Sequence, residues 1–191
     1  MTTNPLGVVA ATAALTLAAC QSGNPLDTSS GPEKAAALQA ECQTALNELY
    51  AEAPQARNIA NDAEGVLVFP NVVKAGLGVG GETANGCLLQ NGEVAGYYNK
   101  SGASVGLQAG AQSRSEVVMF MSDSALDKLQ SAAGFEFGAD ASAAVMDMGA
   151  GGTLDTRNID AEVLAFIFGE EGLMANASLE GSKVTEISFE G

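Results

Sequence analysis

The sequence predicts an α+β protein: a mainly antiparallel, strongly curled or barrel-like β-sheet, with an N-terminal helix and a short mid-chain helix. Three observations carry this. Asn91-Gly92 separates the apolar run ending at Leu89 from Val94 to Tyr98. A tight hairpin turn needs positive φ at both central residues, and Asn-Gly supplies it. Residues 103–112 alternate, with Ala103, Val105, Leu107, Ala109 and Ala111 on one face and Ser104, Gly106, Gln108, Gly110 and Gln112 on the other, the period of a strand. Finally, 23 glycines are spread through apolar stretches while aromatics make up only 5%, a composition that lets a sheet bend sharply and its backbones approach closely.

The elements follow in order. Glu33 to Ala53 is rich in helix formers, with Leu38, Cys42, Ala45, Leu46 and Leu49 at helical spacing. Pro32 stands just before it and Pro54 is expected to stop it. From Gly65 onward the expectation is eight or more short strands. They include Val66–Phe69, broken by Pro70; Val72–Gly81; the two arms around Asn91-Gly92; Ala103–Gln112; and Glu116–Met121. Ser122 is placed to start a short helix over 123–131. Phe135–Met148, Val163–Phe168, Leu173–Leu179 and Val184–Phe189 return to strand, with Glu180-Gly181-Ser182-Lys183 as a turn. No period of 20 to 50 residues stands out, so a solenoid is not expected.

The N-terminus is organised differently. Leu6 to Ala19 is a run of apolar and small residues that ends in Leu17-Ala18-Ala19-Cys20. It has the length of a signal-peptide core and is shorter than the roughly 20 residues of a membrane span. The run and the cysteine resemble the signal and lipobox of bacterial lipoproteins, in which the cysteine is lipidated and becomes the new N-terminus. Residues 1–19 are thus read as the signal, Cys20 as the lipid attachment site and 20–32 as a tether rich in Ser, Gly, Asn, Asp and Pro. Residues 33–56 form the N-terminal helix and 57–191 the β-rich domain. One feature departs from the pattern: residues 2–19 carry no Lys or Arg. By the same resemblance, the absence of Asp directly after Cys20 points to the outer membrane. The alternative for 6–19 is a core helix.

Charge and cysteines set further bounds. The net charge is −15, from 23 acidic and 8 basic residues, and none of the charged side chains lies in the signal. Such a chain repels nucleic acid and anionic membranes. It contains no histidine, which excludes Ser-His-Asp and Cys-His catalysis and removes the commonest metal ligand. Beyond Cys20, Cys42 and Cys87 remain. In an oxidising compartment they can pair; two buried free thiols is the alternative.

Three motifs carry no chemistry here. Gly76, Gly78 and Gly81 match G-x-G-x-x-G, but Glu82 to Gly86 leaves no room for the helix a dinucleotide site requires. Gly102-Ala-Ser104-Val-Gly106 matches a nucleophile elbow without the histidine it needs. Asp140, Asp147, Asp155 and Asp160 lack the spacing of a calcium loop. No catalytic residue, metal or cofactor is expected.

The strand region resembles the SYLF domain family. The resemblance is carried by Gly65–Glu82, Gly96–Gln112, Val117–Met121, Gly149–Gly152, Gly172–Met174 and Ser178–Lys183, in that order, and covers about residues 57–187. It implies a non-catalytic, lipid-binding role at a membrane. Lys74, Lys100 and Arg114 lie inside matched segments and are the candidates for lipid-headgroup contacts. Eukaryotic members, which act on phosphoinositide membranes and actin, have a basic amphipathic stretch before the domain. Here that place is taken by the net acidic 33–53, so those activities are not carried over. The expected partners are the membrane, through the lipid anchor, and a phospholipid ligand. The rival expectation is a structural or interaction lipoprotein without a small ligand.

Overall fold

The structure is a computed structural model that describes residues 31–131, 133–137, 139–148, 161–172 and 181–189. The expected signal, Cys20 and the strand expected at 173–179 lie outside them.

Helix α1 spans Gly31–Glu52 and buries Leu38, Cys42, Ala45, Leu46 and Leu49, the stripe expected from the spacing. It starts two residues before Glu33, inside the stretch read as tether. Pro54 does not end helical structure. It opens a second helix, α2, Pro54–Asp62, because proline lacks only an N–H that the first turn leaves unused. Ala53 between them is fully buried and keeps its N–H bonded to the Leu49 carbonyl at 2.7 Å.

The sheet differs from the row of short strands expected. Two long strands, β1 (Gly65–Gln90) and β2 (Glu93–Phe120), form one antiparallel hairpin. Its turn is the expected Asn91-Gly92, with φ of 53° and 81°. Pro70 does not break β1; it sits where the register shifts between Phe69 and Val72. A bulge tolerates the missing N–H, and Ser115 Oγ donates to the Pro70 carbonyl at 2.9 Å.

Strand β2 is the axis of the sheet. Its first part, Tyr97–Gly102, pairs with β6 (Ser182–Ile187), and its last part, Gln112–Phe120, with β5 (Val163–Gly172). The segment expected as one strand, 135–148, splits into β3 (Phe135–Glu136), which pairs with β6, and β4 (Ala143–Asp147), which runs parallel to β5. Phe137 and Ala141 bridge the gap between them. Helix α3, Asp123–Leu129, starts as expected at Ser122, whose Oγ accepts from the Ala125 N–H.

The hairpin curls, and each of its faces gains a core. The inner face collects Leu67, Phe69, Val72, Leu88, Tyr98, Val118 and Phe120 from both ends of the hairpin, together with Phe135, Ile167 and Val184. Leu126 and Leu129 of α3 close one end of this cluster. The outer face collects the alternate residues Val66, Val68, Val117, Met119, Leu164, Phe166 and Phe168, and α1 lies over them. Gly86 makes the curl possible. A Cβ there would collide with the Val68 carbonyl and the Phe69 ring, so the two ends of β1 touch only because position 86 has no side chain.

Of the two alternatives left open for the cysteines, pairing is the one present. Cys42 of α1 and Cys87 of β1 form a disulfide with a Cα–Cα distance of 6.3 Å and a sequence separation of 45. Both are almost fully buried. The bond ties α1 to the outer face, and constraint of the unfolded chain alone is worth about 4 kcal/mol. Replacing both cysteines by serine should lower the unfolding free energy by about 2–4 kcal/mol; urea melts of the variant and the parent check this. Gly86→Ala should also destabilise, by about 1–3 kcal/mol of overpacking, read from the same urea melts.

Candidate functional site

Past the apolar part of the inner face, charged residues take over. Arg114, Glu116, Val118 and Phe120 alternate along β2 and point inward together. Lys100 points the same way, opposite Ala84 on one side and Val184 on the other. Glu82 comes from β1, opposite Gly102. The side chains of Lys100, Arg114 and Glu116 are fully buried and that of Glu82 is 8% exposed.

These four form a closed ion cluster. Lys100 Nζ lies 2.5 Å from Glu116 Oε2 and 3.2 Å from Glu82 Oε1. Arg114 Nη2 lies 2.7 Å from Glu116 Oε1 and 3.2 Å from Glu82 Oε2, and Arg114 Nε donates to Glu116 Oε1 at 2.7 Å. Two cations face two carboxylates, so the cluster is neutral. Burial of this kind is tolerated only when each charge is paired and hydrogen-bonded. Lys100 Nζ also stands 5.9 Å from the Phe137 ring centre.

Glycine shapes the site. Gly102 lies between Glu82 of β1 and Ser182 of β6 in register. A Cβ at 102 would come within 3.1 Å of Glu82 Cγ and 3.3 Å of Ser182 Oγ. With hydrogen there instead, Ser182 Oγ donates across the gap to Glu82 Oε1 at 2.5 Å. Burial pushes the Glu82 carboxyl up, but Lys100, the Ser182 hydroxyl and Arg114 outweigh it and hold it below its ordinary value of 4.5. Tyr98, next inward neighbour of Lys100 on β2, is pushed up to about 12 by burial and by Glu186.

The three cations expected to meet a headgroup stand on one face. Lys74 pairs in register with Gln112, and Val72 with Arg114. Lys74 therefore shares the inner face with Arg114 and lies diagonally across from it. Lys100 and Arg114 are sealed in the ion cluster, while Lys74 is partly exposed and has no ion pair among the described residues. Arg114 Nη1 is buried and has no hydrogen-bond partner among the described residues. Glu82, Glu116 and Ser182 were not singled out from the sequence. The signal that could have found Glu116 is its place in the inward series 114, 116, 118, 120, which ends in buried Val118 and Phe120.

Open depressions lie against α1. One is lined by Thr44, Glu48, Pro70 and Asn71, another by Gln39, Tyr97, Ile187 and Phe189, and a further one by Leu38, Glu41, Asn85 and Phe189. All are open to solvent. Among the described residues, no helix is long and apolar enough to cross a membrane.

Residues 101–188 match the family model described as Ysc84: Las17-binding protein actin regulator. This region is similar to the Ysc84, or SYLF, domain family. The Ysc84 match holds Arg114, Glu116 and Ser182 and starts just after Lys100, so β1 with Glu82, and helices α1 and α2, lie before it. The Ysc84 family is one of interaction domains. No curated protein matches the chain.

Removing one carboxylate from the cluster leaves a buried cation without its match. Glu116→Gln should cost about 3–5 kcal/mol, read from chemical unfolding. Glu82 governs acid sensitivity. Its folded pKa is depressed, so its contribution to stability is complete above about 4.5 and is lost as pH falls through the folded value. Melting temperature plotted against pH should fall below that point, and the acid limb should be flatter in Glu82→Gln.

Proposed function

We propose that this chain is a lipid-anchored cell-envelope protein whose SYLF domain binds phospholipid without catalysing a reaction. The observation that carries the binding part is the position of Lys74. Of the three cations that share the inner face, Lys100 and Arg114 are already matched by Glu82 and Glu116. Lys74 has no ion pair among the described residues and shares its face with the buried cluster. The anchor is supported by the sequence alone: Leu17-Ala18-Ala19-Cys20 after an apolar core, with Gln21 rather than Asp next. Several acyl chains on Cys20 would hold the protein stably, where one chain is marginal. The placement that follows is the outer membrane.

A second reading has its own observation. The inner face is filled by Phe69, Phe120, Phe135 and Tyr98, all buried, and the family description names a protein target. A domain packed in this way also suits a structural or protein-binding lipoprotein with no small ligand.

Native mass spectrometry of the full-length protein, extracted in detergent from the cells that make it, separates the two. A co-purifying phospholipid in fixed ratio supports lipid binding. Lys74→Gln should then weaken retention about tenfold, the worth of one charge-assisted contact. A protein that stays lipid-free when offered host phospholipids favours the second reading. In the same experiment a diacylglyceryl mass on the Cys20 peptide, lost in Cys20→Ser, tests the anchor.

A further inference from the structure

The outer side of the domain holds a groove that is separate from the inner-face cluster. Two of the depressions against α1 share Glu41, Pro70 and Asn71 in their linings, so they are two parts of one trough. Their volumes, about 420 and 540 Å³, are those of ligand sites, and both are open to solvent. The trough follows α1 from Glu33 to Glu48, a length of about 22 Å at the rise of a helix. An extended chain of about seven residues spans the same length.

Its floor and its rim differ in chemistry. Leu38 is buried and forms the floor with Pro70 and Phe189, which are partly exposed. Glu41 and Glu48 stand exposed on the α1 rim, seven residues and so two turns apart on one side of the helix. Neither has an ion pair or a hydrogen bond among the described residues. Glu33 and Lys34, at the far end, offset each other in formal charge. Across from α1, Asn71 sits in the bulge of β1, outside its register with β2, and Asn85 is exposed. Their amides can both donate to and accept from a peptide backbone.

Charge selects the occupant. An anion is repelled by the two rim carboxylates. Hydrocarbon would strip water from both without pairing either. A second copy of a chain of net charge −15 brings more like charge. We propose that this groove binds an extended segment of a partner protein in which lysine or arginine alternates with apolar residues. Successive side chains of an extended chain point to opposite sides. The apolar set then rests on Leu38, Pro70 and Phe189, and the basic set reaches Glu41 and Glu48. The inference does not depend on the lipid-binding reading: Lys74 lies on the inner face, and α1 lies over the outer one.

The probe is a fluorescein-labelled peptide of alternating lysine and valine, about seven residues long. Full-length protein in nonionic detergent is titrated into it, and anisotropy is read against detergent alone. The parent should bind. Glu41→Gln/Glu48→Gln should weaken binding about fivefold, as expected for two exposed ion pairs. Glu64→Gln/Asp127→Asn removes the same charge from exposed positions outside the groove and should leave binding unchanged. A peptide with serine in place of valine keeps the positive charge but loses the apolar contacts, and should bind at least about tenfold more weakly to the parent. Absence of binding to the parent overturns the proposal. So does an equal loss in the two double variants, which would assign the attraction to the overall charge of the chain. Equal binding of the valine and serine peptides overturns it as well, because the floor would then contribute nothing.

Discussion

Lys100 and Glu116 belong to the same strand, sixteen positions apart. In a straight strand that spacing would separate them by on the order of 50 Å, yet their side chains meet at 2.5 Å. The contact therefore requires β2 to bend through most of a turn, and β1, paired with it along nearly its whole length, must bend as well. Glu82 and Arg114 repeat the demand from opposite ends of the hairpin. A buried ion cluster of this type adds little net stability, because desolvation offsets attraction. What it adds here is specification. Any curl that leaves one of the four charges unmatched strands it in an apolar interior, so misregistered hairpins are penalised.

The apolar contacts agree with that constraint. Bending the hairpin brings Leu67 and Phe69 over Leu88 and Tyr98 in one inner cluster. Gly86 permits the closest approach. Outside, the same curl presents Val66, Val68, Val117 and Met119 as a surface for α1, and the Cys42–Cys87 bond fixes the helix to it. The chain thus has one bent hairpin with an interior and an exterior core, and the remaining strands complete its two ends. The glycine content is explained at two positions: Gly86, where backbones meet, and Gly102, where Glu82 and Ser182 must meet across an empty position.

Local signals were legible in the sequence where they are self-contained. The Asn91-Gly92 turn, the buried stripe of α1 and the Ser122 cap each depend on a few neighbouring residues, and each was read correctly. The curled antiparallel sheet was legible as a class, because alternation and abundant glycine suffice for it. The length of the strands was not. Pro70 and the glycines between 76 and 86 look like punctuation, and only pairing with β2 over some two dozen residues shows that the strand continues through them. Pro54 misled for the same reason: proline both ends and begins helices, and the buried Ala53 that joins α1 to α2 gives no local sign. The ion cluster was half legible. Lys74, Lys100 and Arg114 were noticed as cations in the strand region, and they do share a face. That two of them are matched by Glu82 and Glu116 depends on the bend, which no short window of sequence encodes.

The surplus of negative charge gives the cluster its further consequence. In a chain of net charge −15, two of the eight basic side chains are spent on internal pairing and are withdrawn from the surface. The remaining inner-face cation, Lys74, is the one that can still act on something outside the protein. The division follows from depth along one face. Deep in the curl, charge must be neutralised internally because no water is available to screen it. Nearer the rim, one unmatched lysine is tolerated because solvent reaches it.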